Sequence, residues 1–220
     1  MSESFSQLGQ DIVDVQVRAT DISPEDVEQI HRPLIKRAVA SAIGQVRRYV
    51  PSELNSIKNY FSKKIVYDLE SHPGQPHVGG FFIPSTDKLV ANTYQLRSNP
   101  LFFVEALYHE GKHALRKGLG SMERLYNGFA NVVGPFWASI LSHIYEEGSA
   151  SRLTQRDLGK TLDGYGLERA AAMEVERDYG VAPLIYNTES DAKKILPSML
   201  RGIKRHFQNP RAYTQTYSVA

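Results

Sequence analysis

The chain has 220 residues, of which 41% are hydrophobic and 23% are charged, and its 26 basic residues nearly balance 24 acidic ones. This composition is typical of a folded globular protein with enough apolar material for a compact core. The small surplus of positive charge argues against a nucleic-acid partner, because nucleic-acid-binding domains usually concentrate basic residues on one face. The absence of cysteine excludes disulfides and cysteine-ligated zinc sites.

The sequence contains neither a signal-peptide pattern nor a membrane-anchor pattern. Residues 1–7 lack a basic stretch followed by an apolar core. No apolar run approaches the roughly 20 residues that a membrane span requires. We therefore expect no membrane partner and a cytoplasmic location, with export by a route independent of such a signal left open.

Residues 1–63 predict an N-terminal helical segment. Residues 11–19 alternate too loosely to choose between a short strand and an extended arm. Ser23, directly before a proline, is typical of a helix start, and the helix that it opens is expected to bend at Pro33. A second, shorter helix is predicted over residues 52–63.

Strand-forming residues are concentrated between residues 64 and 92. Residues 64–69 are strand-like, and residues 78–84 and 88–92 predict two strands joined by a turn. We therefore predict a small antiparallel sheet or hairpin in this region.

The chain after Asn99 predicts only helices. Glycine and proline divide it, and the predicted helices cover residues 100–117, 121–133, 135–157, 166–178 and 189–207. Phe136 and Trp137 are expected in the core. The predicted fold class is α+β, mostly α, with the sheet beside a helical body.

One compact domain is expected overall. Within it, residues 64–208 form the region predicted to carry the activity. Residues 209–220 are polar and predict an irregular tail.

The helix predicted over residues 100–117 contains the sequence His109-Glu110-Gly111-Lys112-His113. Residues four apart share a helix face, so both imidazoles can bind one ion. Glu110, rotated by about 100° from His109, can reach a water molecule at that ion without binding the metal. This is the H-E-x-x-H arrangement, in which two histidines bind zinc and the glutamate is the general base. The mostly apolar flanks argue against two incidental surface histidines.

A catalytic zinc usually has three protein ligands, and without cysteine the third must be His, Asp or Glu. The metzincin extension requires glycine and histidine three and six residues after His113. Arg116 and Leu119 stand there instead, which excludes that branch. A glutamate from a later helix is the remaining possibility.

Residues 78–151 resemble the gluzincins, the group that includes thermolysin-like proteases and zinc aminopeptidases. In that group the later glutamate often stands in the context Asn-Glu-Gly-x-Ala. Here Glu146-Glu147-Gly148-Ser149-Ala150 is similar when Glu147 takes the ligand position, with Glu146 in place of the asparagine. The resemblance implies a Zn2+ cofactor bound by His109, His113 and Glu147, with Glu110 as the catalytic residue.

The same resemblance has two further implications. A strand before the motif would form a sheet edge to which a peptide substrate can add. A later His or Tyr would stabilise the oxyanion. The sequence does not choose among four candidates for this role, which are Tyr165, Tyr179, Tyr186 and His206.

The predicted function is therefore zinc-dependent hydrolysis of peptide bonds in a peptide or protein substrate. The alternative is a non-enzymatic helical binding or adaptor protein, in which the motif is incidental or the metal is structural. The metal content of the purified protein discriminates between these two hypotheses. The sequence determines neither the cleavage specificity nor the oligomeric state.

Overall fold

The computed structural model of the protein describes residues 13–75, 77–159 and 165–210. It consists mostly of helices with one small four-stranded sheet, which confirms the predicted α+β class. Within these ranges, no helix is both long enough and apolar enough to cross a lipid bilayer. The predicted cytoplasmic location stays a prediction.

The chain divides into two compact units, Met1–Gly118 and Leu119–Ala220. The boundary between them falls at the end of the helix that carries the H-E-x-x-H motif. The boundaries predicted at residues 63 and 208 stay predictions. Most of the predicted tail, residues 211–220, lies outside the described residues.

The first unit opens with strand β1 (Gln16–Ala19), so a strand is the correct choice for that stretch. Its helical segments follow in the order α1 (Pro24–Asp26), a π-helical turn (Val27–His31), α2 (Arg32–Tyr49), a 3-10 turn (Pro51–Glu53) and α3 (Leu54–Lys63). The Ser23 hydroxyl accepts a hydrogen bond from the Asp26 N–H at 3.1 Å, which confirms the predicted cap.

A π-helical turn, Val27–His31, precedes Pro33 in this helix, whereas the bend predicted at Pro33 stays a prediction. The Arg32 N–H bonds to the Val27 carbonyl, five residues earlier instead of four. Pro33 has no N–H to donate, so the regular hydrogen-bond pattern is also interrupted at the next residue. The turn therefore lies immediately before the proline.

The sheet of the first unit is mixed. It contains β1, β2 (Val66–Glu70), β3 (Gly80–Ile83) and β4 (Lys88–Asn92), in the order β1-β2-β4-β3. The predicted hairpin β3–β4 is antiparallel, whereas β1–β2 and β2–β4 are parallel. Parallel strands need a long crossover, which residues 24–63 supply between β1 and β2. This order leaves β3 at an edge of the sheet.

Two helices complete the first unit, α4 (Tyr94–Ser98) and α5 (Pro100–Gly118), and α2 packs against α5. The buried face of α2 repeats every three or four residues through Ile35, Val39, Ile43 and Val46, each at most 1% exposed. Burial of each such side chain contributes about 1.5–3 kcal/mol. The helix that carries the motif is thus backed by a continuous apolar surface.

The described part of the second unit is helical. Its helices are α6 (Ser121–Val133), α7 (Pro135–Leu158), α8 (Gly166–Tyr179), α9 (Ala182–Ile185) and α10 (Glu189–Gln208). Four of them match the predicted helices to within one residue, and α9 is an addition. Gly134 and Gly159 have φ of 83° and 71°, a backbone conformation that glycine adopts without strain. These two residues mark where α7 begins and ends.

Phe136 and Trp137 are not core residues. They are 71% and 56% exposed, so the expectation that they are buried was wrong. Both lie in the first turn of α7, ahead of Ala138, which is fully buried. Their rings meet edge to face, with centroids 5.4 Å apart.

His31 makes the stability of the first unit depend on pH. The side chain is only 5% exposed and its ring meets Phe103 edge-on, with centroids 5.9 Å apart. Burial lowers the pKa of His31, and nearby Arg97 lowers it further, against the opposing effect of Asp26. An unfolded histidine has a pKa of about 6.5, so the unfolded chain binds more protons than the folded chain just below that pH.

We therefore expect the free energy of unfolding to fall as the pH drops below about 6.5 and to be independent of His31 above it. Urea unfolding of wild type and His31→Gln between pH 7.5 and 5 measures this. The variant should lose part of the pH dependence, whereas the control His77→Gln, at an exposed position, should keep it. Equal pH dependence in wild type and His31→Gln would contradict the assignment.

Candidate metal centre

The two histidines of the motif lie on a buried face of α5. The helix begins as predicted, because the Asn99 side chain accepts a hydrogen bond from the Phe102 N–H at 3.2 Å. Phe103 and Leu107 are buried on the same helix. His109 and His113 are 3% and 7% exposed. The apolar residues thus carry both imidazoles into the interior of the first unit.

The geometry of the histidine pair fits two ligands of one ion. The Nε2 atoms of His109 and His113 are 3.1 Å apart, and the ring planes meet at 78° with centroids 4.8 Å apart. Two nitrogens that bind zinc tetrahedrally at about 2.0–2.1 Å stand roughly 3.3 Å apart. The observed separation is close to this value, so the pair is already arranged as a two-nitrogen donor set.

Glu110 occupies a different direction from the histidines, as its place on the helix predicts. Its Oε2 accepts a hydrogen bond from the backbone N–H of Phe82 at 2.9 Å. Phe82 belongs to β3, the edge strand of the sheet. Glu110 is therefore half-buried, with its carboxylate between the motif helix and the sheet edge.

Glu147 lies on α7 of the second unit. Its side chain is 21% exposed, and its Oε1 lies 4.0 Å from Nδ1 of the largely exposed His143. Glu146, the neighbour that stands in place of the asparagine, is 6% exposed. Glu147 is thus the more accessible of the two carboxylates.

Gly148 allows α7 to approach α8 closely. A Cβ atom at Gly148 would lie 2.0 Å from the backbone oxygen of Glu168. No side chain fits in that space, so the two helices touch through backbone at this point. The contact fixes the segment of α7 that carries Glu147.

The four candidate oxyanion stabilisers all lie in the second unit. The Tyr179 hydroxyl donates to the Lys194 carbonyl at 2.9 Å, and the Arg124 guanidinium lies 4.7 Å from the centroid of the Tyr186 ring. These contacts give both tyrosines a role in packing the helices of that unit. Tyr165 precedes α8, and His206 lies in the last turns of α10.

Lys112 and Arg116 are buried on α5, which was not among the sequence-based predictions. Both are fully buried, and the Lys112 ammonium donates to the Ser41 hydroxyl at 3.3 Å. Their spacing from His109, three and seven residues, places them on the histidine face of α5. That spacing is the signal that could have identified them. Nothing in the sequence indicates the Phe82 contact to Glu110, because it involves a backbone group.

No protein-family model, curated protein or solved structure matches this chain. The chemical interpretation of the centre therefore comes from its own residues. The resemblance to the gluzincins stays a prediction.

The close approach at Gly148 yields a stability test. Gly148→Ala places a methyl group against the Glu168 backbone and should destabilise the protein by about 1–3 kcal/mol. Gly111→Ala is the matched control, because its added Cβ meets nothing within 4 Å. Alanine in a helix interior is favoured over glycine by about 0.5–1 kcal/mol, so this variant should be unchanged or more stable.

Thermal unfolding followed by circular dichroism measures both variants. A change of 1 kcal/mol moves the Tm of a chain this size by about 2–4 °C. A Tm that falls equally in the two variants would contradict the specific role of Gly148.

Proposed function

We propose that this protein is a zinc-dependent hydrolase of peptide bonds. The observation that carries the proposal is the histidine pair, two buried imidazoles on one helix face with Nε2 atoms 3.1 Å apart. The two Nε2 atoms lie within hydrogen-bond distance of each other, and one metal ion placed between them would bind both nitrogens at once. The adjacent Glu110 carboxylate supplies the base that a hydrolytic centre requires.

On this proposal His109, His113 and Glu147 hold the zinc ion. Support comes from the geometry of the histidine pair in the first unit and, in the second unit, from the partly buried carboxylate of Glu147 on α7. Two imidazoles and one carboxylate form a donor set used by catalytic zinc, which keeps a fourth position for water or substrate. When bound, zinc would polarise the scissile carbonyl and lower the pKa of a water molecule.

Glu110 would act as the general base and then as the general acid. It takes a proton from the attacking water as the water oxygen bonds to the carbonyl carbon. It then gives that proton to the leaving amine as the C–N bond breaks. The hydrogen bond from Phe82 directs the carboxylate away from the ligand role, which keeps it available for the proton.

The substrate would be a peptide in extended conformation. Strand β3 is an edge of the sheet and lies beside Glu110. An extended peptide can add to such an edge through backbone groups other than the Phe82 N–H, which donates to Glu110, and this pairing is largely independent of the peptide's side chains. This placement favours a peptide or protein segment over a compact small molecule.

The first test is the catalytic role of Glu110. Glu110→Gln keeps the size of the side chain but removes the base, so zinc should stay bound while hydrolysis falls by about 10²–10⁴-fold. Zinc is measured by mass spectrometry of the metal, and cleavage by mass spectrometry of a mixture of unstructured peptides. A Glu110→Gln variant with wild-type turnover would refute the assigned role.

The second test concerns the zinc ligands. His113→Ala and Glu147→Ala should each lose most of the bound zinc, whereas Glu146→Ala, the neighbouring control, should retain it. Full zinc content in Glu147→Ala would remove Glu147 from the ligand set. Wild-type protein without stoichiometric zinc, and with a Tm indifferent to a chelator, would instead favour the binding or adaptor protein.

A further inference from the structure

We propose that the backbone N–H of Phe82 positions Glu110 for proton transfer, which makes Phe82 a positioning residue of the hydrolase. This inference rests on the proposed function. It concerns a single contact within the first unit, the 2.9 Å hydrogen bond from the Phe82 N–H to Oε2 of Glu110.

The register of the hairpin shows that this N–H is not used by the sheet. The Asn92 N–H donates to the Gly79 carbonyl at 2.9 Å, so these two residues form a hydrogen-bonded pair. Along β3 and β4 the pairs continue as Gly80–Ala91, Phe81–Val90 and Phe82–Leu89. Hydrogen-bonded and non-hydrogen-bonded pairs alternate in an antiparallel ladder. Phe82 therefore belongs to a non-hydrogen-bonded pair, and its N–H points away from β4.

The contact gives the two carboxylate oxygens of Glu110 different roles. A glutamate side chain has several rotatable bonds and loses considerable freedom when it is ordered. The Phe82 N–H fixes Oε2 and with it the plane of the carboxylate, which leaves Oε1 to exchange the proton. Proton transfer requires the base within about 2.6–3.2 Å of its target, so a carboxylate held in advance reacts more often.

A backbone donor is well suited to this task because it moves only when the strand moves. β3 is held by its pairing with β4 and contacts α5, the helix that carries Glu110. Both ends of the hydrogen bond are thus anchored in the same packed unit. No substitution of the Phe82 side chain alone removes this donor, with the exception of proline.

The decisive comparison is Phe82→Pro against Phe82→Ala. Proline removes the N–H and is tolerated at edge positions whose N–H does not serve the ladder, whereas alanine keeps the N–H and removes the ring. We expect Phe82→Pro to retain zinc and to lower kcat about tenfold with KM within about twofold. Phe82→Ala keeps the N–H, so it should lower kcat less than Phe82→Pro does, and the difference between the two variants measures the contribution of the donor.

A double-substitution cycle separates positioning from a general structural effect. In the Glu110→Gln background the base is gone, so Phe82→Pro should cause no further loss of the residual rate. If Phe82→Pro fails to fold, residue 82 is replaced by phenyllactic acid, and the rate loss in the Glu110 and Glu110→Gln backgrounds is compared in the same way. That backbone ester has an oxygen in place of the N–H and retains the phenyl ring.

The outcomes distinguish this inference from the proposed function. An active wild-type enzyme whose kcat is unchanged by loss of the Phe82 N–H overturns the positioning role alone. An equal loss of kcat in the Glu110 and Glu110→Gln backgrounds overturns it as well, because the loss would then not act through the base. A wild-type protein with neither zinc nor hydrolysis overturns the proposed function and this inference together.

Discussion

The candidate centre depends on the periodicity of one buried helix. With 3.6 residues per turn, His109 and His113 project from the same face of α5, and the apolar residues before them carry that face into the interior. The Nε2 atoms end 3.1 Å apart at positions that are almost completely shielded from water. Two imidazole nitrogens held this way have nearly the spacing of two ligands of one metal ion, which is the basis of the proposed zinc site.

The sheet provides the partner that holds Glu110 apart from the two histidines on α5. Glu110 follows His109 directly, and the turn of the helix directs it toward β3 instead of toward the histidine pair. A backbone N–H at the sheet edge then holds its carboxylate. The two parts of the proposed hydrolytic centre, the histidine face and the candidate base, thus belong to one five-residue sequence that lies between two elements of secondary structure.

The second unit is organised by backbone contacts at glycine. At Gly128, Gly148 and Gly202 an added Cβ would lie between 2.0 and 2.3 Å from a carbonyl oxygen of a neighbouring helix. Such contacts fix the position of one helix along its neighbour more strictly than side-chain packing does, because side chains can adjust by rotamer changes. The carboxylate proposed as the third ligand stands directly beside one of them, so its position on α7 is well determined within its own unit.

The sequence by itself determined the local features. Capping residues, glycines and prolines located the long helices after Asn99 almost to the residue, since they act on the backbone at their own positions, and helical periodicity predicted the buried histidine pair. Features that depend on distant residues were decided by tertiary structure. Three such features depend on which elements lie next to each other. They are the parallel pairing of β1 with β2 and of β2 with β4, the exposure of Phe136 and Trp137, and the burial of Lys112. The hydrogen bond from Phe82 to Glu110 joins residues 28 positions apart through a backbone N–H that every residue except proline possesses. No side chain in the sequence indicates this hydrogen bond, because the register of the hairpin alone determines which N–H groups of β3 face away from β4.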